Sequence, residues 1–272
     1  MSGAQSERPC TPGISRSAVQ IDTEGGIARV RLNRPDVGNA VNLQMAQELE
    51  AGLHSLSADP SVRVIVLAGI GTQFCVGGDL GCPVDDDEGV HAHVSNLTTA
   101  LHAAVAVLVR TDAPVLVLAK GTVSGAGVGL MAAADFVLAA DSTRLRLAYS
   151  AVGLTPDCGV SFLLPQIVGR TRALELLLTN RTLLAHEALE WGLVNQLVTA
   201  EVLIEAGQNL AGRLAAGPVR AFGRTKRLVA DALGGFEAHM ALESRTIAEQ
   251  RLHAEGREGV SAFFKRRAAI FL

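Results

Sequence analysis

The 272-residue chain is predicted to be an α/β protein, in which repeated strand, strand, helix units precede a helical tail. Three observations predict this. Short apolar runs recur at Val62–Ala68, Val115–Ala119 and Phe136–Ala140, the lengths expected of buried strands. The first two lead into glycine-rich turns, Phe74-Cys-Val-Gly-Gly-Asp-Leu80 and Gly121-Thr-Val-Ser-Gly-Ala-Gly-Val-Gly-Leu130. From Glu201 to Leu272 the apolar spacing is helical, with no strand pattern of its own.

In chain order, residues 1–17 are rich in Ser, Pro, Gly and Arg and lack an apolar signal core, so they read as a disordered tail. Ala18–Ile21 and Ile27–Leu32 alternate across a Glu24-Gly-Gly turn, a hairpin pattern stopped by Asn33-Arg-Pro35. Leu43–Ser57 has helical spacing. Cys82–Gly89 reads as an acidic loop, in which Asp85, Asp86, Asp87 and Glu88 form either a solvated run or a metal site. Val90–Val109 is a long helix carrying His91, His93 and His102, with the first two expected to be exposed. Val128–Ala134 is small and apolar, as suits a buried helix. Arg144–Leu147 and Leu193–Val198 are further strands, and Gly159–Val168 is a helix. The division is a core over 18–200 and a helical region over 201–272.

A hydrophobic content of 49% is enough for a sizeable core. The formal charge of −3 suggests no nucleic-acid or membrane partner. The apolar stretches are judged to fall short of the ~18 residues that a membrane span needs. Cys10, Cys75, Cys82 and Cys158 show no ligand-like spacing, so a reduced cytoplasmic protein without a metal is the expectation.

Glycine turns that follow strands bring backbone N–H groups close to a ligand, and a helix N-terminus adds further donors. Two such donors converging on one oxygen make an oxyanion hole, suited to charge developing on a carbonyl.

The ordered series Leu32-Asn-Arg-Pro35, Phe74–Leu80, Gly125-Ala-Gly127, Gly153-Leu-Thr-Pro-Asp157, Leu178-Thr-Asn-Arg-Thr182, Trp191-Gly-Leu-Val194 and Glu258-Gly-Val-Ser-Ala-Phe263 resembles the crotonase (enoyl-CoA hydratase/isomerase) superfamily, over about Ser17 to Phe271. The resemblance implies a spiral of ββα units with a C-terminal helical region that packs homo-trimers, often paired into hexamers. It implies an acyl-CoA thioester substrate and no separate cofactor, coenzyme A being part of that substrate. The donors to the thioester oxygen would be the N–H groups of Gly78 and Ala126. Val76, Asp79 and Leu80 would line the CoA path, with Arg34, Val37 and Ala40 on the first loop. Gly125, Gly129 and Pro156 would also border the ligand. Phe263, Arg266 and Arg267 match positions that can reach a neighbouring subunit's CoA.

The resemblance also sorts the chemistry. Hydratases of the family use two glutamates, and their places hold Gly129 and Tyr149 here, which puts hydration in doubt. Asp157 stands where one subset keeps its catalytic acid; an N-cap of the following helix is the structural alternative. In family members similar to the Δ3-Δ2-enoyl-CoA and ring-opened phenylacetyl-CoA isomerases, that Asp shuttles a proton. In 4-chlorobenzoyl-CoA dehalogenases it is a nucleophile, helped by a His whose place His102 occupies; a packed, hydrogen-bonded His102 is the plainer reading. Tyr149, Ala151, Val152 and Phe162 suggest an apolar acyl pocket with no basic residue. Gly127-x-Gly-x-x-Ala132 matches a relaxed dinucleotide fingerprint, but five residues separate it from its strand and no βαβ unit opens the chain. A non-catalytic acyl-CoA-binding member is the other alternative, and it predicts an Asp157 that faces solvent.

Overall fold

The computed structural model describes residues 17–81, 86–231 and 235–270. The residues of the predicted tail before Ser17, together with Cys10, Cys82 and Asp85, lie outside the described residues.

Strands β1 (Val19–Glu24) and β2 (Ile27–Leu32) form the expected antiparallel hairpin, with Glu24 opposite Ile27. Helix α1 (Leu43–Ala58) follows, with the Asn42 side chain accepting from the Met45 N–H at 3.0 Å as its N-cap. Strand β3 (Val64–Gly69) then pairs parallel to β2. After helix α2 (Asp87–Arg110), strand β4 (Val115–Ala119) pairs parallel to β3. Strand β5 (Thr122–Ser124) and helix α3 (Ala126–Ala132) carry the second glycine turn. Strands β6 (Phe136–Ala140) and β7 (Arg144–Arg146) come next, followed by helices α4 (Val160–Val168) and α5 (Arg170–Thr179). Strand β8 (Leu183–Leu184), helix α6 (Ala185–Glu190) and strand β9 (Gln196–Val198) complete the core. Helices α7 (Leu203–Ala215), α8 (Val219–Asp231), α9 (Phe236–Leu252) and α10 (Ala254–Phe264) form the C-terminal region.

The main sheet has the order β1-β2-β3-β4-β6-β9, parallel from β2 onward. A smaller layer of β5, β7 and β8 runs beside it. Bridges from Val41 to Gly78 and from Cys75 to Val123 extend that layer across both glycine turns. Each unit therefore gives one strand to the main sheet and one short segment to the second layer before its helix. This is the spiral of ββα units that the sequence implied.

Alternation along β3 and β4 divides two cores. Ile65, Leu67, Val115 and Val117 face α1 and α2, whereas Val64, Val66, Leu116 and Leu118 face α7. Leu203, Ala211 and Ala215 of α7 are buried there. Among its described residues the helical region has no strand of its own, and its helix α7 closes the second face of the main sheet.

Two expectations change. Asp86, Asp87 and Glu88 belong to the start of α2 and not to a loop: the Asp86 carboxylate caps the helix, accepting from the Gly89 N–H at 2.8 Å, and Asp87 and Glu88 lie in its first turn, where the helix dipole favours them. Among the described residues, no group of three or more His, Cys, Asp and Glu side chains is placed to hold a metal ion. Helix α2 is also long and apolar enough, by length and composition, to cross a membrane, because its charges sit only at its ends. Here its apolar side packs on α1 and α9 through Leu97, Leu101, Val105 and Leu108.

Candidate active site

The two glycine turns are brought into contact. Gly77 has φ 105° and Gly125 has φ 47°, both in the region that glycine alone enters easily. A Cβ on Gly77 would lie 3.3 Å from the Ser124 carbonyl oxygen and 3.7 Å from the Gly125 Cα. Register is held by the Ser124 N–H donating to the Cys75 carbonyl at 2.9 Å, and by the Asp79 N–H donating to the Val41 carbonyl at 2.8 Å. Among the described residues, the N–H groups of Gly78 and of Ala126, the first residue of α3, have no acceptor. Gly78 has open space where a side chain would stand.

These turns border a cavity of about 450 Å³. Gly78 and Gly125 line it, as do Val37, Ala40, Val76 and Leu80. Asp79 also lines it, held by the Arg34 guanidinium at 2.9 Å; Arg34 donates in addition to the Ala40 carbonyl at 2.6 Å and stands behind the mouth. Ala126 is buried just behind Gly125 and does not line the cavity, so it could contribute only its N–H.

Asp157 lies on the cavity wall and is 6% exposed. It does not cap α4, whose N-cap is Gly159 with no side-chain cap bond. Instead the Tyr149 hydroxyl donates to its Oδ1 at 2.6 Å. Burial pushes the Asp157 carboxyl up to about 6; the Tyr149 hydrogen bond opposes this and the Glu243 carboxylate adds to it. Tyr149 is itself pushed well above its ordinary value by burial and by Asp157, so it remains a hydroxyl donor.

Several expected ligand residues are placed elsewhere. His102 does not line the cavity: its Nε2 accepts the Cys158 N–H at 2.9 Å, and burial pulls it down to about 4. Its ring is neutral and occupied, which corrects the general-base reading. Gly129 also lies off the cavity, because a Cβ there would be 2.6 Å from the Cys158 carbonyl oxygen and 2.7 Å from its Sγ. Pro156 is half-buried beside the cavity without lining it. Arg266 and Arg267, expected to reach a neighbouring subunit's CoA, do not line the cavity of their own chain, and Arg267 is ion-paired with Glu258, Nη2 to Oε2 at 2.7 Å. Phe263 lines the cavity of its own chain. Ala151 is exposed, and Phe162 packs on Phe236 with ring centroids 5.3 Å apart, so neither shapes the acyl end.

The opposite wall was not anticipated. Val90, His93, Val94 and Leu97 of α2 line it together with Ile247 and Arg251 of α9. The spacing of Val90, Val94 and Leu97 marks one face of a helix, but only the packing of α2 on α9 shows what that face meets. His93 is half-buried there rather than exposed, and Arg251 brings a basic group to a pocket expected to hold none.

The fold, with its two glycine turns meeting at one cavity, places the chain among crotonase-fold acyl-CoA enzymes. The profile of the enoyl-CoA hydratase/isomerase family matches residues 22–272, and the chain belongs to that family. It is 34% identical over 250 residues to the 1,2-epoxyphenylacetyl-CoA isomerase of Escherichia coli (strain K12), covering 91% of this chain and 95% of that one. It is 34% identical over 212 residues to a 4-chlorobenzoyl coenzyme A dehalogenase of an Arthrobacter species, covering 78% of this chain and 77% of that one. A solved enoyl-CoA hydratase from Mycobacterium avium subsp. paratuberculosis K-10 superposes with TM-score 0.86 at 27% identity, covering 94% of this chain and 98% of that one.

Proposed function

We propose that this member of the family is a double-bond isomerase of acyl-CoA thioesters, with Asp157 as its single acid/base. The observation that carries the reading is one buried carboxylate facing the cavity, with its pKa raised toward neutrality. The Asp157 carboxylate removes a proton from the α carbon of a β,γ-unsaturated thioester. The electron pair moves onto the thioester oxygen as a dienolate, held by the N–H groups of Gly78 and Ala126. The same carboxylic acid then returns the proton to the γ carbon, leaving the α,β-unsaturated product. The proton goes out and back, so the step needs no redox partner and no activated water.

The E. coli relative is named an isomerase of 1,2-epoxyphenylacetyl-CoA, which supports isomerisation of an acyl-CoA as the class of reaction. A hydratase mechanism lacks its two carboxylates, since Gly129 is packed against Cys158 and Tyr149 binds Asp157. A dehalogenase mechanism lacks its base, since His102 is engaged with Cys158. The panel that tests the proposal is β,γ-enoyl-CoA thioesters of several chain lengths, with conjugation followed in the ultraviolet. Conjugation by the wild type and its loss in Asp157→Asn is the expected result. Hydration of crotonyl-CoA at full rate in Asp157→Asn would overturn it.

We further propose assembly as a homo-trimer or hexamer, supported by Leu228 and Val229, which α8 leaves 75% and 64% exposed. A monomer by light scattering at micromolar concentration would count against it.

A further inference from the structure

Asp157 leads into α4; the Val160 N–H returns to the Asp157 carbonyl at 3.1 Å, and the N–H groups of Cys158, Gly159 and Ser161 around it are taken by side chains from two other helices. Glu243 of α9, 4% exposed, accepts the Gly159 N–H at 2.8 Å with Oε2 and the Ser161 N–H at 3.0 Å with Oε1. The Ser161 hydroxyl also reaches Oε1 and lies 2.6 Å from Nε2 of His239. From α2, Nε2 of His102 takes the intervening Cys158 N–H. The turn so held is unusual: Cys158 has φ 57° and Gly159 has φ 71°, two successive left-handed residues of which one carries a side chain. A left-handed residue that carries a side chain is strained and persists only where its surroundings fix it.

We propose that Glu243 is a positioning residue for Asp157: it supplies the anion at the start of α4 in place of Asp157, and it fixes the turn that presents Asp157 to the cavity. The partial positive charge of a helix N-terminus stabilises a nearby carboxylate. Burial pushes the Glu243 carboxyl up, the Ser161 hydroxyl and the Gly159 and Ser161 N–H groups oppose that push, and the charge of Glu243 in turn disfavours ionisation of Asp157. The groups facing Asp157 are Tyr149, Cys158, Cys75 from the first glycine turn and Glu243 from α9. Those facing Glu243 are Ser161, His102 at 3.8 Å and His239 at 3.7 Å. The reach of Glu243 ties the C-terminal helices to the proton-transfer step, a link the division at residue 200 does not anticipate. The inference rests on Asp157 as the acid/base of the proposed function.

The test has two readouts. One is the infrared titration of the Asp157 carboxyl, identified as the protonated-carboxyl band absent from Asp157→Asn. The other is kcat and KM with a β,γ-enoyl-CoA. In the wild type the band is expected to titrate near about 6. Glu243→Gln removes the charge and sets an amide nitrogen against one of the two N–H groups. It should move the midpoint down, and lower kcat about tenfold with KM within about twofold. Glu243→Asp keeps the charge but shortens the reach, so it should hold the midpoint within about 0.3 unit while still lowering kcat. An unmoved Asp157 midpoint in folded Glu243→Gln would overturn the proposal. So would a Glu243→Asp enzyme with wild-type kcat, which decides the matter even if the Gln variant does not fold. If the isomerase reading itself is wrong, the wild type shows no turnover, and the infrared midpoints still decide the role of Glu243.

Discussion

The glycine turns and the helical wall opposite them enclose the same cavity and contribute to it in opposite ways. The turns offer main chain: the N–H groups of Gly78 and Ala126, held by bridges between neighbouring segments of the second layer. The helical wall offers side chains, Val90, Val94 and Leu97 from α2 and Ile247 from α9. A main-chain donor cannot be altered by most substitutions, so it suits the step every substrate shares. Side chains are exchanged one at a time, so they suit the part of the ligand that differs between relatives. Asp157 sits between the two, on a loop that the turns reach from one side and Glu243 and His102 brace from the other.

The largest expected effect comes from that junction. Asp157→Asn should lower turnover about a thousandfold, within the range for loss of a general base, while an acyl-CoA still binds. In the wild type, kcat/KM should rise with pH through about 6, because the base must be ionised to accept a proton. A flat profile from pH 5 to 8 would separate the chemistry from Asp157. Next in size, Gly78→Pro removes one donor and should cost about 3 kcal/mol of transition-state stabilisation, for every acyl group alike. A loss confined to some acyl groups would mean that this turn does more than hold the shared carbonyl.

The same two walls differ in how far the sequence disclosed them. The turns that carry the donors need glycine where φ is positive, at Gly77 and Gly125, and each follows a strand, so they left a local mark. The β2–β3–β4–β6 ladder was legible for the same reason, through short apolar runs at Val62–Ala68, Val115–Ala119 and Phe136–Ala140. The α2 face was not, because Val90, Val94 and Leu97 look the same whether they meet a core or a ligand. Asp86–Glu88 misled because acidic residues favour both loops and helix starts, and only the bond from Gly89 to Asp86 separates the two. His102 and Gly129 were placed by alignment with the family; their neighbour Cys158 decides both, and nothing local in the sequence announces that contact.

A smaller effect tests the junction through stability. Asp157 has a folded pKa of about 6 against an ordinary 3.8, so the native state holds its proton more tightly than the unfolded chain does. The stability this lends is fully present below 3.8 and is lost as pH rises through about 6. The loss is about 3 kcal/mol by linkage. Asp157→Asn cannot ionise and should escape it, so denaturant melts at pH 4 and pH 8 should show a smaller drop for the variant than for the wild type. An equal drop would place the titration on other groups. Gly129→Ala should destabilise by about 1–3 kcal/mol, because its Cβ would press on the Cys158 carbonyl. For the same reason Gly129→Glu should fold poorly and should not gain hydratase activity, as a chemical melt and a crotonyl-CoA assay would show.

The smallest expected effect lies in the helical wall and sharpens the contrast most. Val94 is half-buried on α2, and its carbonyl accepts the Thr98 hydroxyl at 2.9 Å, so the helix backbone there stays in place when the side chain is shortened. Val94→Ala removes two methyl groups from the cavity lining without touching the turns, Asp157 or Glu243. A pocket discriminates by roughly 1–3 kcal/mol per methylene, and a half-buried position delivers the lower end of that range. The ratio of kcat/KM for a longer acyl chain over a shorter one should therefore rise about tenfold. The pH profile should keep its limb near about 6, because nothing that faces Asp157 has changed. Competing two chain lengths in one reaction, with products resolved by mass, reads the ratio directly. A uniform loss for both chains would show that α2 serves the shared step, and the division between main-chain and side-chain walls would then fail.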